Sequence, residues 1–314
     1  MVVEFNQQKL AAVLQVESQY SYLPFSLHIF DCVASTNLTL WELIDKGAGA
    51  GTVVIATQQT AGRGQWGRQW VSPNGGLYVS VAISPQLAAN YAYQLTFASA
   101  WGIAHQLREC GINVGIKWPN DLVLDGRKLG GILTETKINQ GEITEAVVGV
   151  GINWSNPVPE TGINLKSWLA KEGIGDRGTN QFKIQNDARG LANAALTKFK
   201  MKEGDNSFSP FPLPPSPPLP ISCLETLTSK VLLGIESGMV CLGQEGVDIL
   251  LSRYVEFLVN MGDRVSVNEL SGIVVGVTTQ GKLRLSLETD CITDIKTPEL
   301  YLEPGTISLG YRNS

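Results

Sequence analysis

Four short stretches of the sequence combine residue types that could bind and activate an anion. Gly62-Arg63-Gly64-Gln65-Trp66-Gly67-Arg68-Gln69-Trp70 interleaves glycines with two arginines. Glycine lets a backbone approach a ligand closely, and a guanidinium offers planar donors that match a carboxylate or a phosphate. The stretch lacks the Gly-Lys-Ser/Thr ending of a P-loop. Its Gly-x-Gly-x-x-Gly spacing is not a dinucleotide fingerprint either, because the following Pro73 and Gly75-Gly76 do not open a helix. Lys117-Trp118-Pro119-Asn120-Asp121 sets a cation at a strand end, then a rigid turn, an amide and a carboxylate, and so could present Lys117 to an anion. In Arg127-Lys128-Leu129-Gly130-Gly131-Ile132-Leu133 and in Gly149-Val150-Gly151-Ile152-Asn153, glycines inside strand-like runs mark close approach of a ligand or of another backbone. Taken singly, the first reads equally as a surface loop, the second as a β-turn with a solvated lysine, and the last two as ordinary sheet packing.

Other chemistries lack their residues. His28 and His105 are the only histidines, and neither an HExxH pair nor a Gly-x-Ser-x-Gly elbow occurs, so metalloprotease and serine-hydrolase readings have no support. His105 falls in an apolar helical pattern and His28 between Leu27 and Ile29, which makes both structural. Five cysteines, scattered and without a CxxC pair, argue against a disulfide framework or a zinc knuckle and for a reducing compartment. With 24 Lys+Arg against 29 Asp+Glu the net charge is -5, not the basic balance of a chain that grips DNA. The N-terminus has no signal-peptide pattern and no apolar run approaches the ~18 residues of a membrane helix, so a cytoplasmic protein without a membrane partner is expected.

The elements that must position these residues follow from periodicity. A chain of 314 residues, 43% hydrophobic, has room for two domains or a large one with an appendage. An amphipathic helix is expected over Phe5–Gln19 and a buried one over Gln94–Cys110. Strands are expected at Thr52–Ala56, Leu77–Ile83, Val114–Trp118, Leu122–Leu124, Leu129–Thr136 and Glu145–Asn153, making a sheet of at least five. Asn180–Lys200 and Thr226–Leu258 read as helical, the latter broken at Gly234, Gly238, Gly243 and Gly246. The proline-dense run Ser209–Pro220 marks a surface insertion, taken as about 203–222. Strands return at Arg264–Val267, Ile273–Thr278 and Lys282–Leu287, with a turn at Gln280-Gly281, and predict a small β-barrel. The expected division is 1–259 and 260–314.

Ser35-Thr36-Asn37, Gln59-Thr60-Ala61-Gly62-Arg63-Gly64 with Gly67-Arg68 and Trp70, Lys117 to Asp121, Lys128 to Leu133, and Gly151-Ile152-Asn153 together resemble the biotin protein ligases, in that order and at similar spacing. The resemblance covers residues 28–155 strongly, the helices to 258 loosely, and the last part by length and pattern. It implies an α+β fold, a class II aminoacyl-tRNA synthetase-like mixed sheet with helices, followed by an SH3-like β-barrel. It also implies a reaction: biotin and Mg-ATP give biotinyl-5'-AMP, and biotin then passes to one lysine of a biotin carboxyl carrier protein or domain of acetyl-CoA carboxylase. By matched position, Ser35, Thr36, Asn37 and Gln59 would contact the biotin head. Gly62, Arg63 and Gly64 would close over biotin and phosphates, with Arg63 also catalytic, and Arg68 and Trp70 would meet the nucleotide. Lys117 would be the central catalytic cation, and Leu129, Gly130, Gly131 and Ile132 would line the biotin ring. Asn120 and Asn153 would order the nucleotide, and Asp121 is the candidate for Mg2+.

Two departures accompany the resemblance. Gln65 stands where many family members have an arginine that helps to retain the adenylate. Only about thirty residues precede Ser35, too few for the helix-turn-helix of members that repress transcription, so no DNA partner is expected. A homodimer stays open. Alternatives are a lipoate or octanoate ligase of the same fold and a biotin-binding protein without transfer activity. Arg312 is a further candidate contact, left outside the site.

Overall fold

A computed structural model describes residues 5–17, 24–173, 219–267, 270–287, 298–307 and 309–311. The expected helix at 180–200, most of the proline-rich run and Arg312 lie outside the described residues.

A mixed sheet organises the larger part. Its strands are β1 (Ser26–Val33), β2 (Thr52–Gln59), β3 (Leu77–Ile83), the short β4 (Leu87–Ala88), β5 (Gly115–Lys117), β6 (Asp121–Leu124), β7 (Arg127–Asn139) and β8 (Glu142–Ile152). They run in the order β1-β2-β3-β8-β7-β6-β5, with β4 beside β8. The β1 and β2 pair is parallel and the rest are antiparallel. Both faces of the sheet's centre are covered, and β3 is accordingly buried at every position. Alternation along β2 divides the two layers, since side chains point to opposite faces at period two. Val54 joins Leu40 and Ile44 of α2 (Thr36–Ile44), whereas Val53 and Ile55 join the large core under α3 (Tyr93–Glu109).

α3 packs on α5 (Leu224–Val240), after the intervening α4 (Leu165–Glu172). The expected breaks at Gly234 and Gly238 are instead interior helical positions, because they are where the two backbones meet: a Cβ on Gly234 would lie 2.6 Å from the Ile103 Cα. Gly243 falls within a π-helical turn, Cys241–Glu245, and the chain breaks at Gly246, whose φ of 90° suits glycine, before α6 (Val247–Glu256). α1 (Gln7–Glu17) docks on α5 through Glu17 and Lys230, 2.5 Å apart. No helix among the described residues is long and apolar enough to cross a membrane.

Where the sequence predicts a barrel, the described residues form a four-stranded antiparallel sheet, β12-β11-β10-β9, from β9 (Arg264–Val267), β10 (Leu270–Val277), β11 (Leu283–Leu287) and β12 (Glu299–Leu302). Val274, Leu283, Leu285 and Leu302 on its inner face join the main core. Its β10–β11 turn is tied to the larger sheet, with Gly281 accepting from Trp118 Nε1 at 3.0 Å and Thr279 from Gln94 Nε2 at 3.2 Å.

Candidate active site

One cavity has a neutral wall in which Thr36, Asn37 and Gln59 are joined by hydrogen bonds. The chain leaves β1 at Val33 and enters α2 directly, so Ser35, Thr36 and Asn37 lie at a helix start, all buried. Gln59, at the end of β2, accepts from the Thr36 amide at 2.9 Å and its hydroxyl at 3.2 Å, and donates to Ser72 Oγ at 2.8 Å. Ser80 on β3 donates towards Thr36 Oγ1 at 2.8 Å and Asn37 Oδ1 at 2.6 Å. The Asn37 amide in turn donates to Glu135 at 2.8 Å, and the other oxygen of Glu135 pairs with Arg63 at 2.9 Å. The network thus connects the neutral wall to the arginine-bearing loop. Gly149 leaves the room that Asn37 fills, since a Cβ there would overlap the Asn37 amide.

The glycine- and arginine-rich loop is folded on itself. Gly62 accepts from the Trp70 amide at 3.0 Å and Gly64 donates to the Arg68 carbonyl at 2.7 Å. Trp66, with φ of 54°, rests against Gly305 beyond β12, where a Cβ would come within 2.7 Å of the indole. Trp70 lies over Gly151 of β8, and Lys128 Nζ stands 5.2 Å from its ring. Trp70 Nε1 and Gln65 Oε1 are buried without a hydrogen-bond partner among the described residues.

The remaining wall is cationic. Lys117 ends β5 and is 7% exposed. Burial pushes its ammonium pKa down to about 8; Asp121 opposes the shift, and Lys128 and Arg68 add to it. The turn after Lys117 contains a cis Trp118–Pro119 bond, and Tyr254 of α6 donates to the Pro119 carbonyl at 3.0 Å. Asn120 and Ile132 exchange two bonds, the Asn120 side-chain amide donating to the Ile132 carbonyl at 2.6 Å and the Ile132 amide to the Asn120 backbone carbonyl at 3.0 Å, which lays this turn along β7. Asp121 pairs with Lys128 at 2.6 Å through one oxygen and accepts from the Tyr311 hydroxyl through the other. The Tyr311 ring covers Lys117 Nζ at 3.5 Å.

The cavity has a volume of about 160 Å³. Of the residues singled out in the sequence, it brings together Ser35, Thr36, Asn37, Gln59, Arg63, Gly64, Arg68, Trp70, Lys117, Asn120, Asp121, Gly131 and Ile132. Four others are placed outside its lining. Gly62 makes the loop's own turn, where a Cβ would come 2.5 Å from Ser72 Oγ. Leu129 points into the core, fully buried. Gly130 lets β7 approach β8, with the Gly151 carbonyl 2.6 Å from where a Cβ would stand. Asn153 donates to the Lys128 carbonyl at 3.3 Å and accepts from Asn156 at 2.9 Å, so it holds the loop after β8. Sequence reasoning missed Lys128, Gly149 and Gly151 as lining residues although they sat in quoted motifs, and it missed Gly305, Ile307 and Leu309 altogether. No local signal points to the last three, which reach the cavity only through tertiary packing.

Asp121 is the carboxylate among the described lining residues, and no group of three or more His, Cys, Asp or Glu among the described residues could hold a metal ion. This donor set suits a divalent cation that arrives with a polyphosphate and borrows one carboxylate oxygen, not a protein-built cage.

Residues 29–153 match the model of the Biotin/lipoate A/B protein ligase family. The chain is 38% identical over 125 residues to the "Bifunctional ligase/repressor BirA" of Bacillus subtilis, covering 39% of this chain and 38% of that protein. It is 37% identical over 131 residues to the "Biotin--[acetyl-CoA-carboxylase] ligase" of Paracoccus denitrificans, covering 41% and 54%. The chain thus spans between about two fifths and about half of these relatives' lengths. In structure it is similar to the biotin protein ligase of Aquifex aeolicus solved with biotin and ATP, with a TM-score of 0.60 at 21% identity, over 91% of this chain and 99% of that one. That likeness establishes the mixed α+β fold. The segment 29–153, which carries the neutral wall, the arginine-bearing loop and Lys117, is therefore a domain of the biotin/lipoate A/B protein ligase family, homologous to biotin protein ligases.

Proposed function

We propose that this protein is an ATP-dependent biotin protein ligase that makes biotinyl-5'-AMP and transfers the biotinyl group to a lysine of a biotin carboxyl carrier protein or domain. The observation that carries the reading is a buried Lys117 facing one cavity with a neutral, hydrogen-bonded wall opposite, inside a segment homologous to biotin protein ligases. A ureido group is neutral and rich in donors and acceptors, so it can be buried only against matching partners. Ser35, Thr36, Asn37 and Gln59 supply them. The valeryl carboxylate then extends towards Lys117, which also meets the α-phosphate. In the first step a carboxylate oxygen bonds to the α-phosphorus while the bond to the β-phosphate bridge breaks and pyrophosphate leaves. No proton is removed, so the absence of a histidine at the site is no obstacle, and positioning with charge stabilisation supplies the catalysis. Arg63 and Arg68 neutralise phosphate charge, and Trp70 offers a face for adenine. Mg2+ would enter with ATP and take the Asp121 oxygen that Lys128 holds, the other staying bonded to Tyr311. In the second step the carrier's amine bonds to the acyl carbon, the bond to AMP breaks, and the amine proton passes to solvent. The partners are biotin, ATP and the carrier.

The test is biotin-dependent release of pyrophosphate from Mg-ATP, with lipoate as control, followed by mass analysis of an added carrier domain. Release with biotin and one biotinyl mass on the carrier is expected. Turnover with lipoate alone would move the reading to the sister activity within the family, and tight biotin binding without turnover would make the protein a biotin-binding module.

A further inference from the structure

Lys117 lines two cavities. Besides the one already described, a second of about 270 Å³ lies behind it, lined among others by Arg108, Asn113, Asn260 and Tyr311. A lysine side chain is a flexible stem with a compact charge, so nothing in its own geometry directs the ammonium into one space or the other. Tyr311 does. Its ring lies 3.5 Å from Lys117 Nζ, and it lines the second cavity but not the first. Its hydroxyl, bonded to the Asp121 carboxylate, stops the ring from turning away, and Asp121 is in turn braced by Lys128 at 2.6 Å. The residues just before Tyr311 pass over the site, with Gly305, Ile307 and Leu309 lining the first cavity and Gly305 seated against Trp66 of the loop.

We infer that Tyr311 is a positioning residue, whose ring backs the Lys117 ammonium from the second cavity and keeps it directed into the first, where the reacting carboxylate and phosphate meet. This rests on the ligase reading above. Tyr311 does not line the first cavity; it acts through Lys117, by a cation–π contact on the ring face and a hydrogen bond that fixes the ring. Because Tyr311 belongs to the part of the chain beyond β12, the C-terminal region completes a site whose motifs all lie before residue 155.

The experiment compares Tyr311→Leu and Tyr311→Phe with the unaltered protein in two assays. In biotin-dependent pyrophosphate release, Tyr311→Leu is expected to lower kcat about tenfold with the KM for biotin within about twofold, the scale of losing a desolvated cation–π contact. Tyr311→Phe, which keeps the ring and loses only the tie to Asp121, is expected to recover most of that loss. The second assay needs no turnover. Acetic anhydride labelling, read residue by residue by mass spectrometry with Lys137 as the exposed reference, is expected to modify Lys117 several times faster in Tyr311→Leu than in the unaltered chain. An unaltered protein that releases no pyrophosphate with biotin would overturn the ligase reading, while the labelling contrast would still decide the contact. If Tyr311→Leu does not fold, Tyr311→Phe decides: about a twofold to threefold fall in kcat at constant KM supports the inference. Unchanged kcat together with unchanged Lys117 labelling, in whichever variants fold, would overturn it.

Discussion

Lys117 and Lys230 are both buried, 7% and 3% exposed, and the two regions treat the charge in opposite ways. Lys230 on α5 meets Glu17 of α1 at 2.5 Å, and Ser229 Oγ donates to the same carboxylate at 2.9 Å. That ammonium has its counter-charge and a hydrogen-bonded surrounding, so it holds two helices in register and offers nothing to a ligand. Lys117 has no carboxylate at ion-pair distance among the described residues. The nearby Asp121 is spent on Lys128 and Tyr311, and the company of Lys128 and Arg68 makes the ammonium costlier still. A buried cation without a counter-charge among the described residues keeps its attraction for an arriving anion. The difference separates a charge used for cohesion from one left available to an anion.

The comparison breaks most visibly at the paired lysine. Glu17→Ala leaves Lys230 buried and uncompensated, and is expected to cost about 3–5 kcal/mol in chemical denaturation, with activity per folded molecule kept. A loss under about 1 kcal/mol would mean that water already reaches the pair. At the unpaired lysine the pattern inverts. Lys117→Ala is expected to lower adenylation about 10²-fold or more, since one transition-state donor is removed, while the protein folds at least as firmly. Near-normal pyrophosphate release from that variant would sink the assignment of Lys117.

The pH dependence sharpens the contrast further. In the proposed reaction the acting form of Lys117 is the ammonium, so kcat/KM for adenylation is expected to fall about tenfold per pH unit above about 8. In the unfolded chain this lysine keeps its proton to about 10.5. Between these values the unfolded state binds the extra proton, and the lysine's contribution to stability therefore rises with pH while activity falls. A flat rate profile from pH 7 to 10 would show that another group governs the reaction. The smallest effect is expected at Gln65, whose buried Oε1 has no partner among the described residues. Gln65→Arg adds a charge-assisted contact to phosphate and is expected to slow release of the adenylate about fivefold, measured by chasing bound labelled biotin. An unchanged release rate would remove this position from adenylate retention.

Much of the scaffold was legible from local pattern. α3 emerges within a residue of its expected ends because seventeen residues without a helix breaker stronger than Gly102 leave one reading. β3 matches its expected span for a similar reason, a continuous apolar run bounded by Pro73-Asn74-Gly75-Gly76 and Pro85. β1, α2, α4 and β12 went unread. β1 mixes His28 and Asp31 with apolar residues because it is an edge strand, and α2 spends its first turn on Thr36 and Asn37, which turn inward to the cavity and blur the apolar stripe. Gly234 and Gly238 were misread as breaks because their value, close approach of α3 and α5, exists only once the partner helix is present.

The sequence by itself determined the inventory: a chain with two histidines and neither an HExxH nor a CxxC pair, a loop of glycines and arginines, and a lysine before Trp118-Pro119. Spacing along the chain was enough to relate these to a family, since residue type and order are local properties. Tertiary structure alone decided which of them face one another. Leu129, Gly130 and Asn153 share motifs with lining residues, yet Leu129 is buried in the core, Gly130 lets β7 approach β8 and Asn153 braces the Lys128 backbone, contacts that exist only once the chain is folded. Tyr311 lies 194 residues from Lys117 in sequence and 3.5 Å from it in space. Only the packing of the C-terminal sheet against the turn at Trp118 brings that contact about, and no periodicity in either segment encodes it.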